Sequence, residues 1–319
     1  MPTAEAAQAG ADEQGRASVF TTRASSIARA LDEIGDKWCL LIIQEVFWGI
    51  NSFSAMREAI GVSRGVLADR LRWLQRIDCL RRNPVRGTYH LTRKARDLHA
   101  GAMMAIAWER RHFSTPELDD LHLRHACCGR SFTPVLRCAA CSCAVDGRDV
   151  SYAVGPGARL DQRGKKIRRR ASRSAREVPS PRSVYRNLVD VAGDRWAANL
   201  VALAFHGPRR FDDFREQLPV ATNILSERLR FLEERGVFAA FVYQQRPRRV
   251  EYRLTEKGWD LFPFFLCLLQ WGDRWCDPED RGPPLLLRHD TCGEPLQGLV
   301  VCDACGIALE PRQVTVELD

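Results

Sequence analysis

The chain has 319 residues, 45% hydrophobic and 28% charged, which is typical of folded protein and excludes a wholly disordered chain. This length predicts two or more domains. The longest near-continuous apolar stretch, residues 261–271, contains Pro263 and is shorter than the ~18 residues of a membrane span. The acidic N-terminus lacks the pattern of a signal peptide. We therefore expect a cytoplasmic protein without a membrane partner, whose cysteines serve thiol or metal chemistry.

The net charge of +8 comes from one segment. Residues 155–182 contain ten basic and two acidic side chains, and the remainder of the chain is balanced. Charge runs of this kind are usually solvated, so we predict a basic linker that is disordered in the free protein. A flexible cationic arm also suits DNA phosphates. The candidate phosphate contacts in the linker are Lys165, Lys166, Arg168, Arg169 and Arg170.

The sequence repeats itself at an offset that grows from 158 to 164 residues. Gly35-Asp36-Lys37-Trp38 recurs as Gly193-Asp194-Arg195-Trp196, and the stretch 70–74 recurs as 228–232. The cysteine-rich ends of the two copies match at an offset of 164. A nearly constant offset over this span indicates a tandem duplication, with the basic linker as its joint.

Both copies predict the same order of elements, with helical spacing over 27–48 and 184–205 and short helices over 53–60 and 211–218. A longer helix starts near Ser63 or Ala221. It is followed by β-prone runs (80–85 with 88–91; 237–243 with 250–254) and a last helix (98–113; 261–275). This order is that of a winged helix-turn-helix. The predicted fold class is mainly α with small β-hairpins (α+β), and each winged domain is followed by a short zinc-ribbon-like β segment.

The predicted domains follow from the repeat and from the composition. They are a disordered N-terminal arm (1–22), winged helix-turn-helix domain 1 (23–113), zinc-ribbon-like segment 1 (114–154), the basic linker (155–182), winged helix-turn-helix domain 2 (183–277) and zinc-ribbon-like segment 2 (278–319).

The third helix of each copy is the candidate DNA reader. Its apolar face leaves small, hydrogen-bonding and basic residues outward, which suits entry into the major groove, and the wing arginines suit phosphate contacts. The candidate DNA-binding residues are Ser63, Arg64, Arg70, Arg72, Arg86, Thr222, Asn223, Ser226, Arg228, Arg230, Arg246, Arg248 and Arg249. The alternative interpretation is a solvated helix face and a charged turn.

Each copy ends with His-x2-Cys-Gly-x8-Cys-x2-Cys. Two pairs of thiolate and imidazole ligands can close a tetrahedron around Zn²⁺, so we predict two structural sites, one per copy. The predicted ligands are His125, Cys128, Cys138 and Cys141 in the first copy and His289, Cys292, Cys302 and Cys305 in the second. Cys127 stays an alternative to Cys128. Further alternatives are a ribbon without metal, one that uses the cysteines alone, or a site that senses metal or oxidant by losing zinc.

Each half resembles the HxlR family of bacterial winged helix-turn-helix regulators. The motifs that carry the resemblance are residues 29–38 and 187–196, Phe53-Ser-Ala-Met-Arg and Phe211-Asp-Asp-Phe-Arg, the stretch 221–236 and the stretch 248–258. The resemblance implies dimeric DNA-binding regulators whose outer helices form the dimer. Several members sense oxidants or electrophiles through a cysteine ahead of the first helix. The matching positions here are near Ser25 and Arg182, so that sensor is absent in both halves.

The second copy fits this family pattern more closely. The first copy has a shortened wing, and Ala95 replaces the glycine that follows the lysine in the second copy. We therefore expect the first wing to bind DNA differently.

Together these features predict a sequence-specific double-stranded DNA-binding transcriptional regulator, a repressor, with two non-identical recognition helices. The halves are expected to pair as a pseudo-dimer within one chain, or two chains pair as a homodimer. A small-molecule effector is a further expected partner. The alternatives are a protein-interaction module with incidental DNA affinity and a ligand- or metal/redox-responsive regulator.

No enzyme is predicted. Residues 61–65 match the Gly-x-Ser-x-Gly nucleophile motif, but that motif needs a preceding strand and here follows a predicted helix. Ser63 is better explained as a helix N-cap.

Overall fold

The protein is described by a computed structural model that covers residues 20–23, 25–163, 184–207, 209–277 and 279–318. Two copies of one helical unit follow each other, and each ends in a small β segment. The first copy consists of β1 (Phe20–Arg23), α1 (Ser26–Ile34), α2 (Lys37–Phe47), α3 (Phe53–Ile60), α4 (Arg64–Arg76), β2 (Leu80–Arg82), β3 (Tyr89–Leu91), α5 (Arg93–Arg96), α6 (His99–His112), α7 (Pro116–Asp119), β4 (Leu121–His125), β5 (Arg130–Ser131), β6 (Pro134–Cys138), β7 (Val150–Val154) and β8 (Leu160–Arg163).

The second copy repeats the helices in the same order. It consists of α8 (Arg186–Ala192), α9 (Arg195–Ala204), α10 (Phe211–Gln217), α11 (Thr222–Glu234), β9 (Phe238–Gln244), β10 (Arg249–Leu254), α12 (Glu256–Trp259), α13 (Phe262–Trp275), β11 (Leu285–His289), β12 (Gly298–Cys302) and β13 (Val314–Leu318). Two winged helix-turn-helix units are therefore present, and the predicted mainly α fold with small hairpins is confirmed.

The repeated Gly-Asp step separates the first two helices of each copy. A Cβ on Gly35 would lie 2.5 Å from the carbonyl oxygen of Leu31, so only glycine fits this helix end. The Asp36 side chain then accepts the backbone N–H of Cys39 at 3.2 Å and begins α2. Asp194 caps α9 in the same way. The motif thus ends one helix and starts the next.

The apolar face predicted for the third helix forms the core of each winged unit. Leu67, Leu71 and Leu74 are buried on α4, and the matching leucines of α11 are also buried. The first wing pairs two three-residue strands, whereas the second pairs β9 with β10 over six positions. The shortened first wing is therefore confirmed.

The two halves pack against each other through helices α1, α6 and α13. Two tryptophans make reciprocal hydrogen bonds across this contact. The indole N–H of Trp108 donates to the carbonyl of Lys257 at 2.9 Å, and that of Trp271 donates to the carbonyl of Lys94 at 2.8 Å. The same offset, 163, relates both tryptophans and both lysines, so the halves are related by a pseudo-two-fold axis.

The two β segments are interleaved rather than separate. β6 pairs antiparallel with β12, and Leu136 lies opposite its own repeat equivalent, Val300. β4 takes β13 of the other copy as its partner, and β11 takes β7. Each segment is therefore completed by a strand of the other copy, and the prediction of two self-contained ribbons is wrong.

Two predicted boundaries also differ from the structure. Residues 20–22, assigned to the N-terminal arm, lie in β1, which pairs with β8 at the start of the predicted linker. The first linker residues are held by backbone contacts, since the N–H groups of Gly155 and Gly157 donate to the carbonyls of Pro284 and Pro283. Arg159 lies 3.9 Å from the Asp277 carboxylate. The remainder of the linker, 164–182, lies outside the described residues.

Within the described part of the chain, no helix combines the length and apolar character needed to cross a bilayer.

Candidate nucleic-acid interface and metal clusters

Each recognition helix presents one face to solvent. On α4 the exposed candidates are Arg64 and Arg72, and Ser63 precedes them as N-cap, its hydroxyl accepting the N–H of Val66 at 3.4 Å. The element before Ser63 is a helix, α3, as the N-cap interpretation requires. On α11 the exposed candidates are Thr222, Asn223, Ser226 and Arg230. The two faces differ at their starts, where α4 presents Arg64 and α11 presents the short polar side chains of Thr222 and Asn223; Arg72 and Arg230 occupy matching positions further along.

Arg70 and Arg228, both predicted DNA contacts, do not lie on this exposed surface, because each pairs with an aspartate of its own copy. Arg70 binds the Asp36 carboxylate with two hydrogen bonds, Nε to Oδ1 at 2.7 Å and Nη2 to Oδ2 at 3.0 Å. Arg228 pairs with Asp194 at 2.5 Å. Both arginines are half-buried. They fix each recognition helix to the N-cap of the second helix of its unit, α2 or α9, which explains why the arginine and the aspartate recur at one offset.

The wing arginines are exposed as predicted. Arg86 lies in a turn where the Asn83 side chain accepts the N–H groups of residues 85 and 86 at 3.0 and 3.1 Å. Arg246, Arg248 and Arg249 surround the tip of the second wing and are all exposed. The linker candidates (Lys165, Lys166, Arg168, Arg169 and Arg170) lie outside the described residues.

The eight predicted metal ligands form two clusters, but their grouping differs from the prediction of one site per copy. One cluster combines His125 and Cys128 with Cys302 and Cys305, and the other combines His289 and Cys292 with Cys138 and Cys141. The antiparallel pairing of β6 with β12 carries each Cys-x2-Cys turn to the other copy, where it faces that copy's His-x2-Cys turn. Each cluster therefore joins the two halves.

The distances within the clusters suit a small tetrahedral ion. Ligands about 2.3 Å from a tetrahedral centre lie about 3.8 Å apart. The Sγ atoms of Cys128 and Cys302 are 3.9 Å apart, and the Sγ of Cys305 lies 3.3 Å from the Nδ1 of His125. In the second cluster the Nδ1 of His289 lies 3.5 Å from the Sγ of Cys141 and 3.4 Å from that of Cys292. Both clusters could hold a metal through three sulfurs and one nitrogen.

Backbone geometry prepares the thiols for this role. A backbone hydrogen bond from Arg130 lowers the pKa of Cys128, and a low pKa favours the thiolate that a metal binds. Burial opposes the same effect at Cys138, but backbone hydrogen bonds from Cys141 and Ala140 prevail and its pKa is also lowered. Each cluster thus contains one cysteine that ionises more readily than an ordinary thiol.

The remaining cysteines are not part of the clusters. Cys127 is exposed and lies outside the cluster, whereas Cys128 is one of its four members. Cys39, Cys79 and Cys276 are buried, and burial raises the pKa of Cys79 to about 12, so this thiol stays protonated. Ser25, at the position of the family's sensing cysteine, caps α1 by accepting the N–H of Ala28 at 3.2 Å.

Two acidic side chains at the contact between the halves, Glu109 (buried) and Asp273 (half-buried), were not predicted from the sequence. Glu109 on α6 accepts the backbone N–H of Leu188 at 2.7 Å, near the start of α8. Asp273 on α13 accepts the hydroxyl of Ser26 at 2.5 Å, at the start of α1. An acidic residue on an otherwise apolar helix face was the available signal, but nothing in the sequence names the partner.

Comparison with known proteins agrees with the duplicated architecture. A family model described as HxlR-like helix-turn-helix matches residues 33–116 and 191–280. The HTH-type transcriptional regulator MT3179 of Mycobacterium tuberculosis is 43% identical over 129 residues, which is 40% of this chain and 81% of that protein.

Solved structures of two regulators are also similar. The redox regulator HypR in its reduced form is 36% identical and covers 29% of this chain and 92% of its own, with a TM-score of 0.28. The reduced form of the transcriptional regulator YodB from Bacillus subtilis is 33% identical and covers 30% of this chain and 93% of its own, with a TM-score of 0.27.

Proposed function

The chain belongs to the HxlR-like helix-turn-helix family of transcriptional regulators, and on that premise we propose that both recognition helices of one chain read a single DNA operator. The observation that carries this proposal is the pseudo-two-fold contact between the halves, with its reciprocal tryptophan hydrogen bonds. A homodimeric regulator presents two equal helices through such a contact, whereas this chain presents two different ones.

The operator should reflect both the pseudo-two-fold axis between the halves and the difference between their recognition helices. Half-sites related by an axis lie about one helical turn, ~10–10.5 bp, or a multiple of it apart. Because α4 and α11 differ at their exposed positions, the two half-sites should differ, which gives an imperfect palindrome. Asn223 suits an adenine edge and Arg64 a guanine edge. Exposed Arg72, Arg230 and the wing arginines are assigned to phosphates.

We further propose that both clusters bind Zn²⁺ as a structural ion. Three thiolates and one imidazole are a donor set that zinc takes in closed sites, which have no position for a reacting water. Metal in these sites would tie the Cys-x2-Cys turn of one copy to the His-x2-Cys turn of the other. Its role is therefore to hold the two winged domains in the relative orientation that the operator requires.

The linker and the regulatory outcome belong to the same proposal. A linker carrying Lys165, Lys166, Arg168, Arg169 and Arg170 between two DNA readers would neutralise phosphates without reading bases. We assign the protein to the cytoplasm, as a repressor that occupies its operator next to the regulated genes.

Genome-wide DNA capture with the purified protein over a salt series tests the assignment. We expect a split motif that survives moderate salt. Asn223→Ala with Arg230→Ala should degrade one half-site, and Arg64→Ala with Arg72→Ala the other, while Arg312→Ala, an exposed arginine of the ribbon, serves as the control. Loss of a base-specific contact costs about 1–3 kcal/mol at its position.

Binding without a motif, lost steeply as salt rises, would contradict the proposal. It would assign the affinity to the linker and favour the protein-interaction alternative. If the variant that combines all four substitutions captured the same DNA as the unmodified protein, this result would also contradict the proposal.

A further inference from the structure

A cavity of about 880 Å³ opens in the second half of the chain. Its walls come from α9, α10, α13, the start of α1 and strands β7 and β11, so it lies where the winged unit meets the first half and the ribbons. Pockets of about 300–1,000 Å³ are those that hold small organic ligands. The cavity thus has the size of a ligand site, and nothing in the proposed DNA function uses it.

The repeat shows that the fold does not require this space. Ala202 and Leu203 line the cavity, and the matching residues of the first half are Gln44 and Glu45, both buried. Asp273 also lines it, and its match, Arg110, donates to the carbonyl of Leu121 instead. The first half thus places a larger side chain at the first of these positions, a carboxylate in place of leucine at the second and a residue of opposite charge at the third.

Aromatic rings form much of the wall. Phe205 lies edge-to-face against Phe262 at 5.3 Å and against Phe265 at 5.7 Å. Tyr152, which also lines the cavity, lies with its ring 5.2 Å from that of His206. Burial lowers the pKa of His206, so its ring is neutral at physiological pH. Faces of aromatic rings attract cations and stack against other rings.

Polar groups at the wall can serve a ligand. The Tyr152 hydroxyl is buried without a hydrogen bond in the described part of the chain. Asp273 accepts the Ser26 hydroxyl with one carboxylate oxygen; burial raises the pKa of Asp273 to about 6, and the nearby Arg29 opposes this shift. The two arginines at the wall already face acids, since Arg195 pairs with Asp32 at 3.1 Å and Arg159 approaches Asp277. Three acids (Asp213, Glu216 and Asp273) line the cavity against these two arginines, so the net charge of its wall is negative.

We infer that this cavity binds an aromatic small molecule that carries one basic nitrogen, with the nitrogen at Asp273 and the rings among Phe205, Phe262 and Phe265. The Tyr152 hydroxyl supplies a second, neutral hydrogen bond. The net negative charge of the wall disfavours an anionic ligand, and an aliphatic one would forgo the ring contacts.

Occupancy of the cavity should reach the second recognition helix. Asp213 and Gln217 of α10 line the cavity, and the turn after α10 leads directly into α11. A ligand bound between α10 and α13 would shift the recognition helix α11 and leave α4 of the first half in place. This consequence rests on the proposed DNA function, whereas ligand binding itself does not.

Fluorescence anisotropy with the full-length protein, in the absence of DNA, tests the inference. The probe is rhodamine 6G, a cationic xanthene dye, and fluorescein, an anionic dye with the same ring system, is the comparison. We expect rhodamine 6G to bind at least about ten-fold more tightly than fluorescein. Asp273→Asn should remove most of that preference, and Asp212→Asn, an exposed acid on α10 that does not line the cavity, should leave it unchanged.

Two variants that block the cavity complete the test. Ala202→Gln introduces the residue of the matching position in the first half, and Ala158→Trp places a large side chain at an exposed residue of the cavity wall, where folding is at little risk. Both should abolish binding of rhodamine 6G. Equal binding of the two dyes, or retention of rhodamine 6G by both blocking variants, would overturn the inference. Either result would leave the DNA capture experiment untouched, so the two proposals can fail independently.

Discussion

Two aspartates, Asp36 and Asp194, explain why the Gly-Asp step is repeated in both copies. Each caps the second helix of its winged unit and binds an arginine of the recognition helix. The charge pair is half-buried and, in the first copy, bidentate, so removing one partner leaves the other poorly solvated. The orientation of each reading helix therefore depends on one carboxylate.

Asp36→Ala should lower the free energy of unfolding by about 2 kcal/mol, because it removes a helix cap and an ion pair together. Asp69→Ala removes the exposed partner of Arg72 and should change it by less than about 0.5 kcal/mol. Urea titration of both variants measures the difference. Equal losses would show that the Asp36 pair is not structural.

His99 makes the stability depend on pH. Burial lowers its pKa to about 4, from 6.5 in an exposed histidine. Below pH 6.5 His99 is protonated in the unfolded chain but stays neutral in the folded one. The free energy of unfolding should therefore fall as the pH is lowered from about 6.5 towards 4. His99→Phe, which copies Phe262 of the second half, should reduce the loss between pH 7.5 and pH 5.5 by about 1 kcal/mol. Exposed His90→Phe is the control, and an identical pH profile in the His99 variant would refute the assignment.

Ser142 occupies a position that the second copy gives to glycine. Its φ is 61°, in the left-handed region, and the matching Gly306 has φ 72°. A side chain there costs about 1–2 kcal/mol in the folded state, part of which returns as lower entropy of the unfolded chain. Ser142→Gly should raise the free energy of unfolding by roughly 0.5–1 kcal/mol, and Gly306→Ser should lower it similarly. Thermal unfolding of both metal-loaded variants measures these changes. If Ser142→Gly lowered the stability, the left-handed backbone at this turn would not be the source of the predicted cost.

At the scale of elements, the helices were predictable and the strand partners were not. Apolar spacing, Ser63 and the Gly-Asp step define the helices locally, so α3 (Phe53–Ile60) agrees with the prediction at both ends. Pairing of β6 with β12 joins residues 160–168 positions apart, and a single-copy pattern cannot distinguish a ribbon closed on itself from an exchanged one. The eight residues of the two clusters could therefore be predicted from sequence, but their grouping could not.

Metal content distinguishes the exchanged grouping from the single-copy one. Cys128→Ala with Cys302→Ala removes two ligands of one cluster, so the protein should retain one tightly bound zinc per chain. Cys128→Ala with Cys138→Ala removes one ligand from each cluster and should weaken both sites. Native mass spectrometry during titration with a chelator measures this. The reverse pattern would show that each copy closes its own site.

At the scale of the molecule, the halves should behave as one cooperative unit. Exchanged strands, two shared clusters and the reciprocal tryptophan contacts all join the same two halves. Calorimetry should therefore record a single unfolding transition for the metal-loaded protein, shifted to lower temperature by a chelator. Two separate transitions before metal removal would show that the winged domains are independent.

In the proposed complex, one chain supplies both recognition helices for one operator. The mass of the complex formed on a duplex with one complete split site, measured by native mass spectrometry, tests this most directly. The account predicts one protein chain per duplex, with both half-sites protected. Two chains per duplex, each using one of its winged domains, would contradict it.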